Sequence, residues 1–252
     1  MQSQYSLFAD EAVQLVHDAE GGIRYHPACV PEEVVAGWFA ALLPLVPWRS
    51  ERRPMYDRIV DVPRLMASVA LNDPERPACI DAALAAVQAV APAPYTRAGL
   101  NLYRDGRDSV AMHNDRIHDL APGQPIAILS LGAARDMLIK PKRGGSAQRV
   151  RLAPGSVLVM SHAAQRTHDH GIPKCSAPLG PRISLAFRVR GFRVPAFHRR
   201  AAESGGRRAA LFQQADRRHQ QRAHLRPVAR IQLQQRYAAV GGHVGRGIRQ
   251  SS

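Results

Sequence analysis

Residues 101–115 read NLYRDGRDSVAMHND, and residues 168–188 read HDHGIPKCSAPLGPRISLAFR. In the second stretch Ile183, Leu185, Phe187 and Val189 alternate with Arg182, Ser184, Ala186 and Arg188. A period of two marks a half-buried β-strand. Both arginines are then expected on one face, with their Cα atoms roughly 20 Å apart. In the first stretch His113 and Asp115 stand two apart. On an extended strand such positions project from the same face. One imidazole nitrogen and one carboxylate oxygen can therefore meet on one metal ion.

His170, carried by a distant strand, completes a set of two histidines and one carboxylate. That donor set suits Fe(II) and leaves positions open for a chelating cosubstrate and for O2. The two arginines suit the ends of a short dicarboxylate, because a guanidinium is a planar, always-charged fork that grips carboxylate with two hydrogen bonds. Singly these residues say little. A lone H-x-D is weak, His162 and His168 read as ordinary surface or capped histidines, and Arg182 alone reads as a solvated strand charge.

Around these stretches the chain breaks into short strands: 98–103, 109–113, 126–131, 137–140, 150–152, 156–160 and 182–189. RDGRD at 104–108 and Ala153-Pro154-Gly155 supply turns, and KPKRGGS at 140–146 a basic hairpin loop. Many short strands at this spacing predict a mainly β fold, a double sheet of jelly-roll type. Helices flank it on the N-terminal side. Pro31, Glu32 and Glu33 open one, and Val34, Val35, Trp38, Leu42 and Leu43 recur at helical spacing. Residues 80–90 read as another, stopped by APAP. Residues 11–19 are expected to form a short helix broken by Gly21-Gly22.

Taken together, these blocks resemble the AlkB family of Fe(II)- and 2-oxoglutarate-dependent dioxygenases. The family order of H-x-D, H and R-x5-R fits His113/Asp115, His170 and Arg182/Arg188. The N-x-Y of Asn101 and Tyr103 is similar to the family's, as are PIAILSLG (125–132), PGSVLVM (154–160) and HGIPK (170–174). The resemblance spans roughly residues 20–190. It implies a double-stranded β-helix core. It also implies Fe(II) held by His113, Asp115 and His170, with 2-oxoglutarate chelating the metal and O2 as the oxidant. Arg182 would pair with the cosubstrate's far carboxylate, helped by Asn101 and Tyr103, and Arg188 would lie nearer the metal. The implied activity is oxidative demethylation of alkylated bases in DNA or RNA, a repair function.

The residues that read the substrate depart from the pattern. VPRL at 62–65 resembles the start of the family's nucleotide-recognition lid. Yet no aromatic residue stands between Tyr56 and Tyr95, where relatives carry a tyrosine-rich segment. Base recognition rests on stacking. Four positions after His113, where an acid is frequent, stands Ile117, and Asp119 is the nearest acid. His168 replaces an aromatic and Ala186 a threonine. A protein or small-molecule substrate, or a non-catalytic nucleic-acid-binding member, are the alternatives.

The 252 residues are 45% apolar, enough for a substantial core. The expected division is a dioxygenase domain at 1–192 and a tail at 193–252. The domain has its core at 95–190 and N-terminal helices and lid at 1–94. The net charge of +15 is unevenly placed. Residues 191–252 hold 13 arginines, no lysine, and only Glu203 and Asp216 as acids. The basic character thus belongs mainly to the tail, which reads as a solvated extension, as an arm touching phosphates, or as out-of-frame coding. No apolar run is long enough to span a membrane, and the N-terminus lacks the pattern of a secretory signal. Cys29, Cys79 and Cys175 suggest neither a disulfide framework nor a zinc site. A cytoplasmic monomer is the simplest expectation.

Overall fold

The computed structural model describes residues 11–55 and 58–190. Along the chain run β1 (Val13–Val16), β2 (Ile23–His26), α1 (Glu32–Leu45), β3 (Arg49–Met55), β4 (Arg58–Ala70) and α2 (Ala78–Val90). Then follow β5 (Arg97–Tyr103), β6 (Val110–His113), β7 (Ile126–Gly132), β8 (Arg135–Pro141), β9 (Gln148–Leu152) and β10 (Val157–Met160). The short α3 (Ala164–Thr167) leads directly into β11 (His168–Ile172), and β12 (Arg182–Arg188) closes the set.

The strands form two sheets. The larger has the order β1-β2-β10-β7-β12-β5-β4-β3 and the smaller β6-β11-β8-β9. All their ladders are antiparallel. This is the expected jelly-roll, a double-stranded β-helix with helices on one side.

The large sheet is covered on both faces, and the side chains sort accordingly. Ala98, Leu100, Leu102, Ala127, Leu129, Leu131, Ile183, Leu185 and Phe187 pack with Val35, Leu42, Ile80 and Val87 of the helices. From the opposite face Ile126, Ile128, Leu158 and Met160 meet Met137, Ile139, Val150 and Leu152 of the small sheet. β12 is therefore not half-buried as its alternation suggested. Only Arg188 of its seven residues is partly exposed. Its polar face looks into the interior of the roll rather than into solvent.

One expectation at the N-terminal side is corrected. Residues 11–19 do not form a helix, because Val13–Val16 is a strand paired with β2. One or two turns of isolated helix are marginal in water, and a sheet edge offers Val13 and Val16 a ladder instead. The 49–70 stretch is a long hairpin, β3 and β4, added to the edge of the large sheet beside β5. Its register slips between Ser50 and Arg52. Pro63 and Arg64 fall opposite that slip, where proline's missing N–H breaks no ladder bond. Both helices appear as expected, each preceded by a proline, Pro31 and Pro77, and each with acid in its first turn. Among the described residues no helix is long and apolar enough to cross a membrane. The expectations for the tail lie outside the described residues, as does Tyr56.

Candidate active site

The interior polar face of the large sheet and the mouth of the small one line a single cleft of about 1660 Å³. Asn101, Tyr103, His113, Asp115, His170, Arg182 and Arg188 all line it. Every site residue expected from sequence is therefore brought to one place. His162 and His168 do not line it.

At one end lie the histidines. His113 ends β6 and His170 stands directly opposite on β11. Their ring centroids are 4.5 Å apart. His113 Nδ1 lies 2.9 Å from the Ala111 carbonyl oxygen. A carbonyl only accepts, so Nδ1 donates and Nε2 keeps its lone pair for a metal. His170 is buried. Burial pushes its pKa down to about 4, and His113 adds in the same direction. It is thus neutral, as a metal ligand must be.

Asp115 lies beyond the end of β6, not on the strand. Its face is set by the loop that leads into a short 3-10 turn, Ile117–Asp119. The Arg188 guanidinium donates through Nε at 3.1 Å and Nη2 at 2.9 Å to Oδ2, and through Nη2 at 3.0 Å to Oδ1. Burial pushes the Asp115 carboxyl up, but Arg188, His170 and His113 outweigh it and hold the pKa below its ordinary value. The carboxylate is ionised and within electrostatic reach of both histidines. It is nevertheless turned onto Arg188, and among the described residues no three His, Cys, Asp or Glu side chains are already gathered in metal-ligand geometry. Gly99 opposes Ala186 in the β5–β12 ladder, and a Cβ there would come within 3.1 Å of Arg188 Nη1. Glycine leaves that guanidinium its path.

At the other end lies Arg182, 1% exposed. Its Nη2 donates to Ser130 Oγ at 3.0 Å, while Nε and Nη1 are buried and, among the described residues, meet no hydrogen-bond partner. Its guanidinium carbon sits 5.2 Å from the Tyr103 ring centroid, and that of Arg135 sits 5.5 Å from it. An aromatic face holding a cation contributes ~0.5–2 kcal/mol. It does not satisfy the two orphaned nitrogens. A buried, unpaired cation is costly, and an anion such as a carboxylate would complete it. Asn101, by contrast, is engaged within the protein. Arg64 Nε donates to its Oδ1 at 2.9 Å, and its Nδ2 donates to Ser184 Oγ at 3.3 Å.

Residues 22–188 match the model of the 2OG-Fe(II) oxygenase superfamily. The chain belongs to that superfamily. Its similarities to characterised proteins lie with AlkB homologues. It is 38% identical over 97 residues to the DNA oxidative demethylase ALKBH2 of Homo sapiens, covering 35% of this chain and 37% of that protein. It is 36% identical over 98 residues to the alpha-ketoglutarate-dependent dioxygenase alkB homolog 3 of Mus musculus, covering 35% and 34%. The matches thus span little more than a third of the curated relatives' length. Among solved structures, OsALKBH1 superposes at a TM-score of 0.47 with 16% identity over 66% of this chain and 97% of that one. A 2OG-Fe(II) family oxidoreductase from Burkholderia pseudomallei gives 0.46 with 16% identity over 66% and 84%.

The donor set of this oxygenase superfamily member fits its metal and cosubstrate: two imidazoles, one neutral by burial, an ionised carboxylate, and a buried arginine lacking an anion. Three residues that hold the site escaped sequence reasoning. Arg135, 2% exposed, donates to the carbonyls of Asp105, Asp108 and Pro173. Gln165 accepts from the Asp115 amide. Ser130 anchors Arg182. Each acts through contacts 27 to 52 residues away in sequence, which leaves no periodic trace.

Proposed function

We propose that the chain is an Fe(II)- and 2-oxoglutarate-dependent dioxygenase that oxidatively demethylates alkylated bases in DNA or RNA. One observation carries the reading. The cleft has a histidine pair and an ionised aspartate at one end and the incompletely bonded Arg182 at the other. An elongated 2-oxo dicarboxylate has complementary ends. His113, Asp115 and His170 would hold the iron, with Asp115 giving up part of its contact with Arg188. Arg182 would take the far carboxylate, its charge fixed by Ser130 and Tyr103. Arg188, released in part, would lie nearer the metal end of the cosubstrate. The bound iron, with 2-oxoglutarate and O2, supplies the oxidant for a C–H bond, and the cosubstrate leaves as succinate and CO2. A hydroxylated N-methyl group then breaks down to formaldehyde.

The chain's own work is ligation, orientation and exclusion of water. The rim supports a polyanionic substrate. Arg49, Arg116, Lys174 and Arg190 line the cleft with exposed side chains, and such cations attract phosphates without reading sequence. The relatives' names, DNA oxidative demethylase and alpha-ketoglutarate-dependent dioxygenase, support the same chemistry.

A second substrate class, a protein or small molecule, is favoured by one feature. Ile117, at the position of the family's base-reading acid, does not line the cleft. Asp119 does line it, with Arg190 Nη1 3.6 Å from its Oδ2. The deciding experiment incubates the chain with Fe(II), 2-oxoglutarate and O2 against methylated single- and double-stranded DNA, RNA and free nucleosides. Formaldehyde released with succinate, one for one, from a polynucleotide is the expected outcome. Succinate without formaldehyde from any of them would transfer the chemistry to another substrate.

A further inference from the structure

Asp115 is the one proposed ligand that no strand holds. β6 stops at His113, two residues before it. A carboxylate on a free loop end would lose conformational freedom on binding a metal. Contacts of three residues, Gln165, Asn114 and Lys142, remove that freedom beforehand. Gln165, 1% exposed, accepts the Asp115 backbone N–H through Oε1 at 3.0 Å. Asn114 Nδ2 donates to the Asp115 carbonyl at 2.9 Å. Lys142 Nζ donates to Asn114 Oδ1 at 3.0 Å and to the Gln165 carbonyl at 2.9 Å, with the Asp169 carboxylate 3.6 Å away.

The orientation of Gln165 follows from its partner. An amide N–H only donates, so the side-chain oxygen must face Asp115. Among the described residues its other end, Nε2, reaches only the Met160 sulfur at 3.9 Å, a weak acceptor. A buried polar side chain with one good hydrogen bond is held there for that bond. Lys142 joins the two halves of the site. Its backbone N–H donates to Thr167 O at 2.8 Å, so one lysine ties the loop after His113 to the segment that runs into His170.

We propose that Gln165, braced by Lys142, is the positioning residue for Asp115. It fixes the aspartate backbone so that the carboxylate moves between Arg188 and the metal by side-chain rotation alone. The proposal rests on the metal reading above. Hydrogen-bonded partners of ligating carboxylates typically contribute ~10–100-fold in metal affinity, and that is the size of effect expected here.

The test is Mn(II) binding to the full chain, followed by electron paramagnetic resonance of the free ion, with the thermal midpoint measured on each sample. Gln165→Leu keeps the volume and loses the acceptor. It is expected to weaken Mn(II) binding by ~10-fold or more while the midpoint shifts little. Lys142→Met should weaken it in the same direction, and Lys142→Arg, which keeps a cation, should recover part of the loss. A folded Gln165→Leu chain binding Mn(II) within about twofold of the parent would overturn the proposal, since a purely structural clip moves the midpoint and not the affinity. If Gln165→Leu fails to fold, the Lys142 pair decides, and equal affinities for Met, Arg and parent overturn it. His113→Ala separates the two levels. Parent binding that His113→Ala leaves unchanged means the metal is elsewhere, and the positioning proposal falls with the metal reading. Binding that His113→Ala abolishes but Gln165→Leu leaves intact overturns the positioning role alone.

Discussion

Arg182 Nε and Nη1 are the two buried polar atoms on which the cosubstrate assignment turns. Truncating one member of a buried charge pair typically costs ~2–5 kcal/mol, much of it from stranding the other charge. Arg182→Ala is therefore expected to raise the 2-oxoglutarate requirement by roughly one to several powers of ten. Mn(II) affinity without cosubstrate should hardly change. Arg182→Lys should recover only part, as a point charge replaces a fork. Titration of 2-oxoglutarate into each metal-loaded protein checks this. His170 gives a pH test of the metal-free fold. Its folded pKa is about 4, against an ordinary 6.5. Between those values the unfolded chain binds a proton that the folded chain refuses, so stability rises with pH across this window and falls on acidification. Above about 6.5 His170 contributes no slope. Urea midpoints of His170→Asn should fall less steeply than the parent's from pH 6.5 to 4. Parallel curves would mean that His170 is not held neutral. Asp115, with its folded pKa lowered, adds its own loss only further down, below about 3.8.

At the scale of elements, the loop between β5 and β6 and the segment between β11 and β12 are joined by Arg135. Its three carbonyl partners lie on both. A buried acceptor left without a donor costs about 1–3 kcal/mol, so Arg135→Ala is expected to destabilise the fold by at least about 3 kcal/mol in urea unfolding. A smaller loss would mean that water replaces the guanidinium. This contact also marks the limit of what the sequence discloses. The strands from 98 to 189 were legible because short apolar runs, alternating with polar residues in the last of them, are punctuated by glycine and proline at the turns. The site was legible because H-x-D, H and R-x5-R put rare residue types at fixed spacings. Arg135 breaks no pattern, standing as one polar residue in a short strand, and Gln165 sits in a four-residue helix. The 11–19 stretch was misread for a related reason. Its strand is decided by pairing with β2, not by local periodicity. The alternation in β12 named the right two faces but not their environments, because a polar face lining a cleft and a polar face in water look alike in sequence.

For the whole molecule, the question is how the chain's charge is used. Most of the excess lies in residues 191–252, while a smaller group of cations lines the cleft. Truncation after Arg193 is expected to leave the thermal midpoint and cosubstrate turnover intact. If the arginines touch phosphates, the same truncation should weaken polynucleotide binding and flatten its salt dependence. A large drop in the thermal midpoint would show instead that the tail belongs to the fold. The most direct measurement concerns the metal centre itself. Fe(II) and 2-oxoglutarate are added anaerobically to the parent, to His113→Ala and to Asp115→Ala, and the visible charge-transfer band of the chelate is followed. The band should develop with the parent and be absent or greatly weakened in both variants, with all three proteins folded. An equal band in the variants, or none in the parent, would contradict the assignment of His113, Asp115 and His170 as the iron site.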